Sequence, residues 1–213
     1  MTYPKAYKGV NTLVRAEALD LIAAGLAVIL NILSTAALSG IDAMHEGSDI
    51  AAVGVMGAGI GFFLVGGIIL IVGICSEVFM FIGLKRASDD EPRYFKTAFV
   101  FSILYIIMGV LSGLFGSLGV LGLILQTTEK AVSITVYTLT IFGIRSLAKK
   151  LDATEIISLG NITLAAEIFQ IVVNAVSDYI PGILEMIASV LSFVGYIIFL
   201  IFLTRSRDML ASK

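Results

Sequence analysis

From Ile156 to Asp178 the chain reads IISLGNITLAAEIFQIVVNAVSD, an apolar stretch crossed by one continuous polar line. Gly160, Thr163, Glu167, Gln170, Asn174 and Ser177 recur at alternating steps of three and four. On a helix they share one face, with Ile, Leu, Val and Phe on the others. Crossing a bilayer takes roughly 20 apolar residues. Six stretches satisfy that requirement, at about 18–38, 57–84, 97–115, 120–144, 156–177 and 182–203. In a membrane, a helix with such a line must turn it toward protein or water.

The pattern repeats. AVILNILS (27–34), YIIMGVLS (105–112) and QIVVNAVS (170–177) align without gaps, with branched residues second and third, Asn or Gly fifth and Ser eighth. Each lies at the outer end of a rising helix. The stripe of small and polar residues repeats in register: Glu17, Asp20, Ala24, Ala27, Asn31 and Ser34 in the first helix, then Ala98, Ser102, Tyr105, Gly109, Ser112 and Gly116 in the third. The sequence therefore predicts an all-α, polytopic helical membrane bundle. Its six transmembrane helices form three tandem αα-hairpins, about 10–86, 95–148 and 154–207, in a single transmembrane domain spanning 1–213. The hairpins are expected to surround a pseudo-threefold axis with the rising helices innermost. The segment ASDDEPRYFK reads as a plain connection between hairpins. Pro181 suits the first turn of the last helix, and Glu185 its positive N-terminal end.

Composition agrees with lipid as the solvent: 58% of residues are hydrophobic, 14% are charged, and the mean hydropathy is +1.03. Charge supplies the orientation. Lys5, Lys8, Arg15, Lys85, Arg86, Arg93, Lys96, Arg145, Lys149, Lys150, Arg205, Arg207 and Lys213 fall on the side of the termini, and Lys130 alone falls opposite. Lys and Arg near helix ends are retained in the cytoplasm, so both termini are expected there, in a multi-pass protein of the cytoplasmic (plasma) membrane. The first apolar run leads into a full span and carries no small-residue cleavage site, so it reads as a retained helix. A net charge of -2 gives no electrostatic case for nucleic acid. The lone Cys75 cannot form a disulfide within the chain.

Glu167 is the sharpest candidate for chemistry. At 1.5 Å per residue it lies roughly 16 Å from Ile156, near the middle of a core roughly 30 Å thick, and Glu77 comes out at a similar depth counted from Arg86. Carboxyls at that depth are costly and point to a proton or cation site; the structural alternative is a protonated carboxyl donating between helices. Gln170, Asn174, Asn31 and Thr163 can line a polar path or tie helices together. A further polar stripe, Gln126, Glu129, Ser133, Tyr137 and Thr140, marks the fourth helix. Asp42, His45, Glu46 and Asp49 carry metal-ligating types at helical spacing, a weak metal signal without a tested motif. The Gly-rich run Gly54, Gly57, Gly59, Gly61, Gly66 and Gly67 lacks the Lys-Ser/Thr of a phosphate loop and reads as close helix packing, as does the pair Gly109 and Gly113.

No zinc-protease motif, Cys-x-x-Cys or nucleophile elbow occurs, so neither an enzyme nor a cofactor is expected. The expected function is binding or conduction of a small polar or cationic solute through the bundle centre. The alternative is an accessory subunit whose polar stripes are structural and whose partner is another membrane protein.

Overall fold

The computed structural model describes the backbone of residues 2–45, 49–177 and 183–212, and the side chains of 2–30, 59–170, 173 and 190–212. Within these residues the chain is all-helical: α1 (Pro4–His45), α2 (Asp49–Ala87), α3 (Pro92–Phe115), α4 (Gly119–Lys150), α5 (Thr154–Ser177) and α6 (Ile183–Ser212). Four stretches are long and apolar enough to cross a membrane, Gly59–Ala87, Pro92–Phe115, Gly119–Lys150 and Val190–Ser212. The other two expected spans, 18–38 and 156–177, run into residues whose side chains lie outside the description. So do the expectations for Pro181 and Glu185.

The helices outrun the apolar stretches they contain. α1 has 42 residues and α2 has 39, about 60 Å each at 1.5 Å per residue, twice the thickness of a bilayer core. The chain forms two compact units, one of residues 1–17 and 77–213, the other of residues 18–76.

In the larger unit, the large apolar side chains that are fully buried gather at the end carrying the termini. Val10, Leu84, Phe95, Ile144, Leu147, Phe202, Leu203 and Leu210 form one core there. Farther along the same helices the pattern inverts, and Val110, Leu114, Val120, Leu123, Ile124 and Ile162 point outward. Water forces apolar groups inside, whereas lipid accepts them outside. The inversion is the signature expected of helices that leave an aqueous layer and enter hydrocarbon.

One turn and one close crossing fix that base. Glu91 is the N-cap of α3: its carboxylate accepts the Tyr94 N–H at 3.0 Å, with Pro92 in the first turn. Its other oxygen accepts the Ser146 hydroxyl of α4 at 3.1 Å. Asp90, one residue earlier, accepts the N–H groups of Lys5 (2.8 Å) and Ala6 (2.7 Å) and so caps α1. The segment expected to be a plain connection thus closes two helix ends and ties down a third. Gly9 of α1 meets Gly83 of α2 almost backbone to backbone; a Cβ at Gly9 would lie 2.6 Å from the Gly83 carbonyl oxygen.

Around α4 the larger unit is dense. This helix packs on α3, α5 and α6 and is the most enclosed of the four apolar helices. One of its faces serves α3 while another receives α5 and α6. In the smaller unit, the Asp20 side chain of α1 is hydrogen-bonded to Ser76 of α2, a buried hydroxyl.

Candidate functional site

α5 lies with its polar line inward. Ile156 and Gly160 are buried, Thr163 is fully buried, and Glu167 and Gln170 are half-buried; Ile162, Ile168 and Phe169 on the other faces are exposed. Local chemistry sustains the helix along this face. Thr163 returns its hydroxyl to the Leu159 carbonyl at 2.9 Å, satisfying a buried donor without a partner helix. Gly160 leaves room for its neighbours: a Cβ there would come within 2.9 Å of the Arg145 stem and 3.3 Å of the Phe202 ring.

Glu167 sits two turns from Gly160 on the same face. Among the described residues its carboxyl has no hydrogen bond and no ion pair. Gln170, one turn farther, lies against Gly195 of α6, where any side chain would run into the amide oxygen. Thr163, Glu167 and Gln170 therefore follow one another along the inward face of α5, with Gln170 reaching α6. Glu77 is half-buried on α2 and interacts with other groups, and no hydrogen bond joins it to Glu167. Thr163, Glu167 and Gln170 thus share the inward face of α5, and Glu77 is on another helix. The side chains of Asn31 and Asn174, of Asp42, His45 and Asp49, and all of Glu46, lie outside the described residues. Among the described residues no three His, Cys, Asp or Glu side chains gather as a metal would require.

The α3/α4 pair repeats the glycine-opposite-polar arrangement with the roles exchanged. Glu129 Oε1 of α4 lies 3.6 Å from the Cβ position of Gly109, and Gln126 Nε2 lies 3.4 Å from that of Gly116. Gly109 is on the rising helix and Gly116 caps its end, whereas Gly195 is on the returning helix in α5/α6. Each removes a side chain just where a polar group crosses the interface, a packing mode membrane helices favour. This arrangement was hidden from the sequence, since opposing residues on two helices have no fixed spacing along the chain.

Two expectations need correction. Gly113 has open space where a Cβ would lie, so only Gly109 of the expected pair is in a contact. Gly59, Gly66 and Gly67 likewise have nothing within 4 Å, so close packing does not explain these three members of the glycine run. Small residues permit a close approach; another helix must still arrive at the same height, and the one-helix pattern carries no information on that. Among the described residues, the close approaches to another helix occur instead at Gly9, Gly83, Gly143, Gly160 and Gly195.

Comparison with protein-family models, with curated proteins and with solved structures finds no match.

Proposed function

We propose that the chain is a non-enzymatic integral protein of the cytoplasmic membrane that binds or conducts a small polar or cationic solute, with Glu167 as the charge-bearing group and Thr163 and Gln170 beside it. One observation carries this reading: Glu167 is half-buried on the polar face of an apolar helix, near its middle, with no hydrogen bond or ion pair among the described residues. An ionisable group at bilayer depth costs roughly 3 kcal/mol even on the mildest scale, and a sequence retains one where it serves a site. Asp20 provides the contrast, since its partner Ser76 gives it a structural role. Six crossings in three hairpins about a pseudo-threefold axis, with cytoplasmic termini, complete the proposal; the three aligned octapeptides and the one-sided basic residues support that arrangement.

The test is flux into proteoliposomes, with rubidium and an entrapped pH-sensitive dye as reporters of cation and proton movement. Glu167→Gln removes the charge and keeps the shape, and it abolishes flux if the carboxyl carries it. Flux that survives at the wild-type rate removes Glu167 from the mechanism.

A second reading is favoured by the glycines opposite Gln126, Glu129 and Gln170, which make those polar groups part of the helix packing. In that reading the chain is an accessory subunit of a larger membrane complex. A stoichiometric partner co-purifying in mild detergent supports it, whereas a solitary chain with a cation-dependent thermal shift supports the first.

A further inference from the structure

Arg145 stands apart from the other basic residues at the base of the bundle. Its stem runs between α4 and α5 through the notch that Gly160 leaves open, with Cγ and Cδ both 2.9 Å from the position a Cβ would take there. That packing fixes the arginine's position, unlike Lys149 and Lys150 on the exposed last turn of α4. Its Nε is buried with no hydrogen-bond partner, and among the described residues the guanidinium makes neither a hydrogen bond nor an ion pair. Its one directed contact is over the Phe142 ring, 5.7 Å from the centroid. Phe142 in turn lies against Tyr94 of α3, centroids 6.0 Å apart, and Arg93 lies 5.2 Å over Tyr94. Two guanidiniums thus sit over a pair of touching rings that joins α3 to α4. Glu91, the buried acid of this region, is engaged by Tyr94 and Ser146 and pairs with neither arginine.

A guanidinium is a planar fork of donors matched to two oxygens of one anion, and it cannot shed its charge. Held in place without a carboxylate, it is available to an anion from outside the chain. Arg145 lies five residues before the end of α4, about 7 Å along the axis. That places it where an apolar span gives way to the basic end, the level of lipid headgroups. Aromatic rings and basic side chains are both enriched at that level.

We propose that Arg145, assisted by Arg93, holds the phosphodiester of an anionic phospholipid on the α3/α4 face of the bundle. The phosphate takes the two terminal Nη donors of Arg145, Arg93 adds a second charge, and the acyl chains run along outward apolar residues of α3 such as Val100, Ile103 and Leu104.

The test uses the full-length protein in detergent, comparing thermal unfolding with added phosphatidylglycerol, phosphatidylcholine or inorganic phosphate, and counting bound lipids by native mass spectrometry. Phosphatidylglycerol is expected to raise the midpoint and to remain bound in the mass spectrum, with little effect from the other two. Arg145→Gln should weaken that binding roughly tenfold, the loss of a hydrogen bond to a charged group. Lys96→Gln, an exposed charge at the same end, should leave it intact. Arg145→Lys keeps charge and stem but loses the fork, and it should fall between Arg145→Gln and wild type; it serves as the readout if the glutamine variant does not fold. Equal effects of the two lipids overturn the proposal, as do an equal shift with inorganic phosphate, equal losses in Lys96→Gln and Arg145→Gln, or full retention in Arg145→Lys.

Discussion

Ala6 donates its backbone N–H to the Asp90 carboxylate at 2.7 Å across 84 residues of sequence. The same oxygen accepts Lys5 N–H, so the turn after the second helix supplies a cap to the first helix. Asp90→Ala should lower stability by about 1 kcal/mol, while Asp90→Asn, which keeps an acceptor, should cost less. Thermal unfolding of purified protein in detergent reads both.

Glu91 joins a cap to a tertiary bond. Glu91→Ala removes the Tyr94 and Ser146 interactions together and should cost about 2 kcal/mol, against about 1 kcal/mol for Ser146→Ala. Because the two residues share one bond, the double variant should be less destabilised than the summed single effects. A double-mutant cycle on the unfolding midpoints measures that coupling, and strict additivity would show that the contact contributes nothing.

Glycines of similar appearance in the sequence should respond very differently to alanine. A methyl at Gly9 meets backbone of α2 at 2.6 Å, and one at Gly143 meets the Phe95 ring at 2.8 Å; neither neighbour is a flexible chain end. Each substitution should cost about 1–3 kcal/mol. Gly113→Ala, with open space around it, should be neutral or stabilising by up to about 1 kcal/mol. Unfolding midpoints of the three variants decide.

Gly195→Ala offers a finer test. The group it displaces is the end of the Gln170 side chain, which can swing aside, so stability should fall by about 1 kcal/mol or less. If Gln170 serves the same site as Glu167, flux should fall by a larger factor than stability suggests. Parallel flux and unfolding measurements separate the two effects.

The periodic features of the fold were legible in the sequence. The steps of three and four along Gly160, Thr163, Glu167 and Gln170 gave the inward face of α5, and the stripe from Ala98 through Ser102 to Gly116 gave that of α3, because one-sided burial imprints the helical repeat directly on the chain. Contacts between helices were not. The Asp90 cap is invisible to any local pattern, the approach of Gly9 to Gly83 depends on two helices meeting at one height, and the Arg145 stem at Gly160 joins residues with no common motif. The glycine run of α2 shows the converse, a strong local signal whose members Gly59, Gly66 and Gly67 have no close neighbour. Glu167 was found from depth and polarity alone, while its lack of a partner among the described residues needed coordinates.

The most direct measurement is thiol accessibility along α5. Cys75 is the one cysteine, so a Cys75→Ser background accepts single cysteines at positions 167, 168, 169 and 170. Reaction with a small, water-soluble, cationic thiol reagent in membranes should be fast for Glu167→Cys and Gln170→Cys and slow for Ile168→Cys and Phe169→Cys, because the half-buried part of the polar line borders a hydrated interior. Equal and slow reaction at all four positions would mean a dry packed core around Glu167, and it would contradict a solute site there.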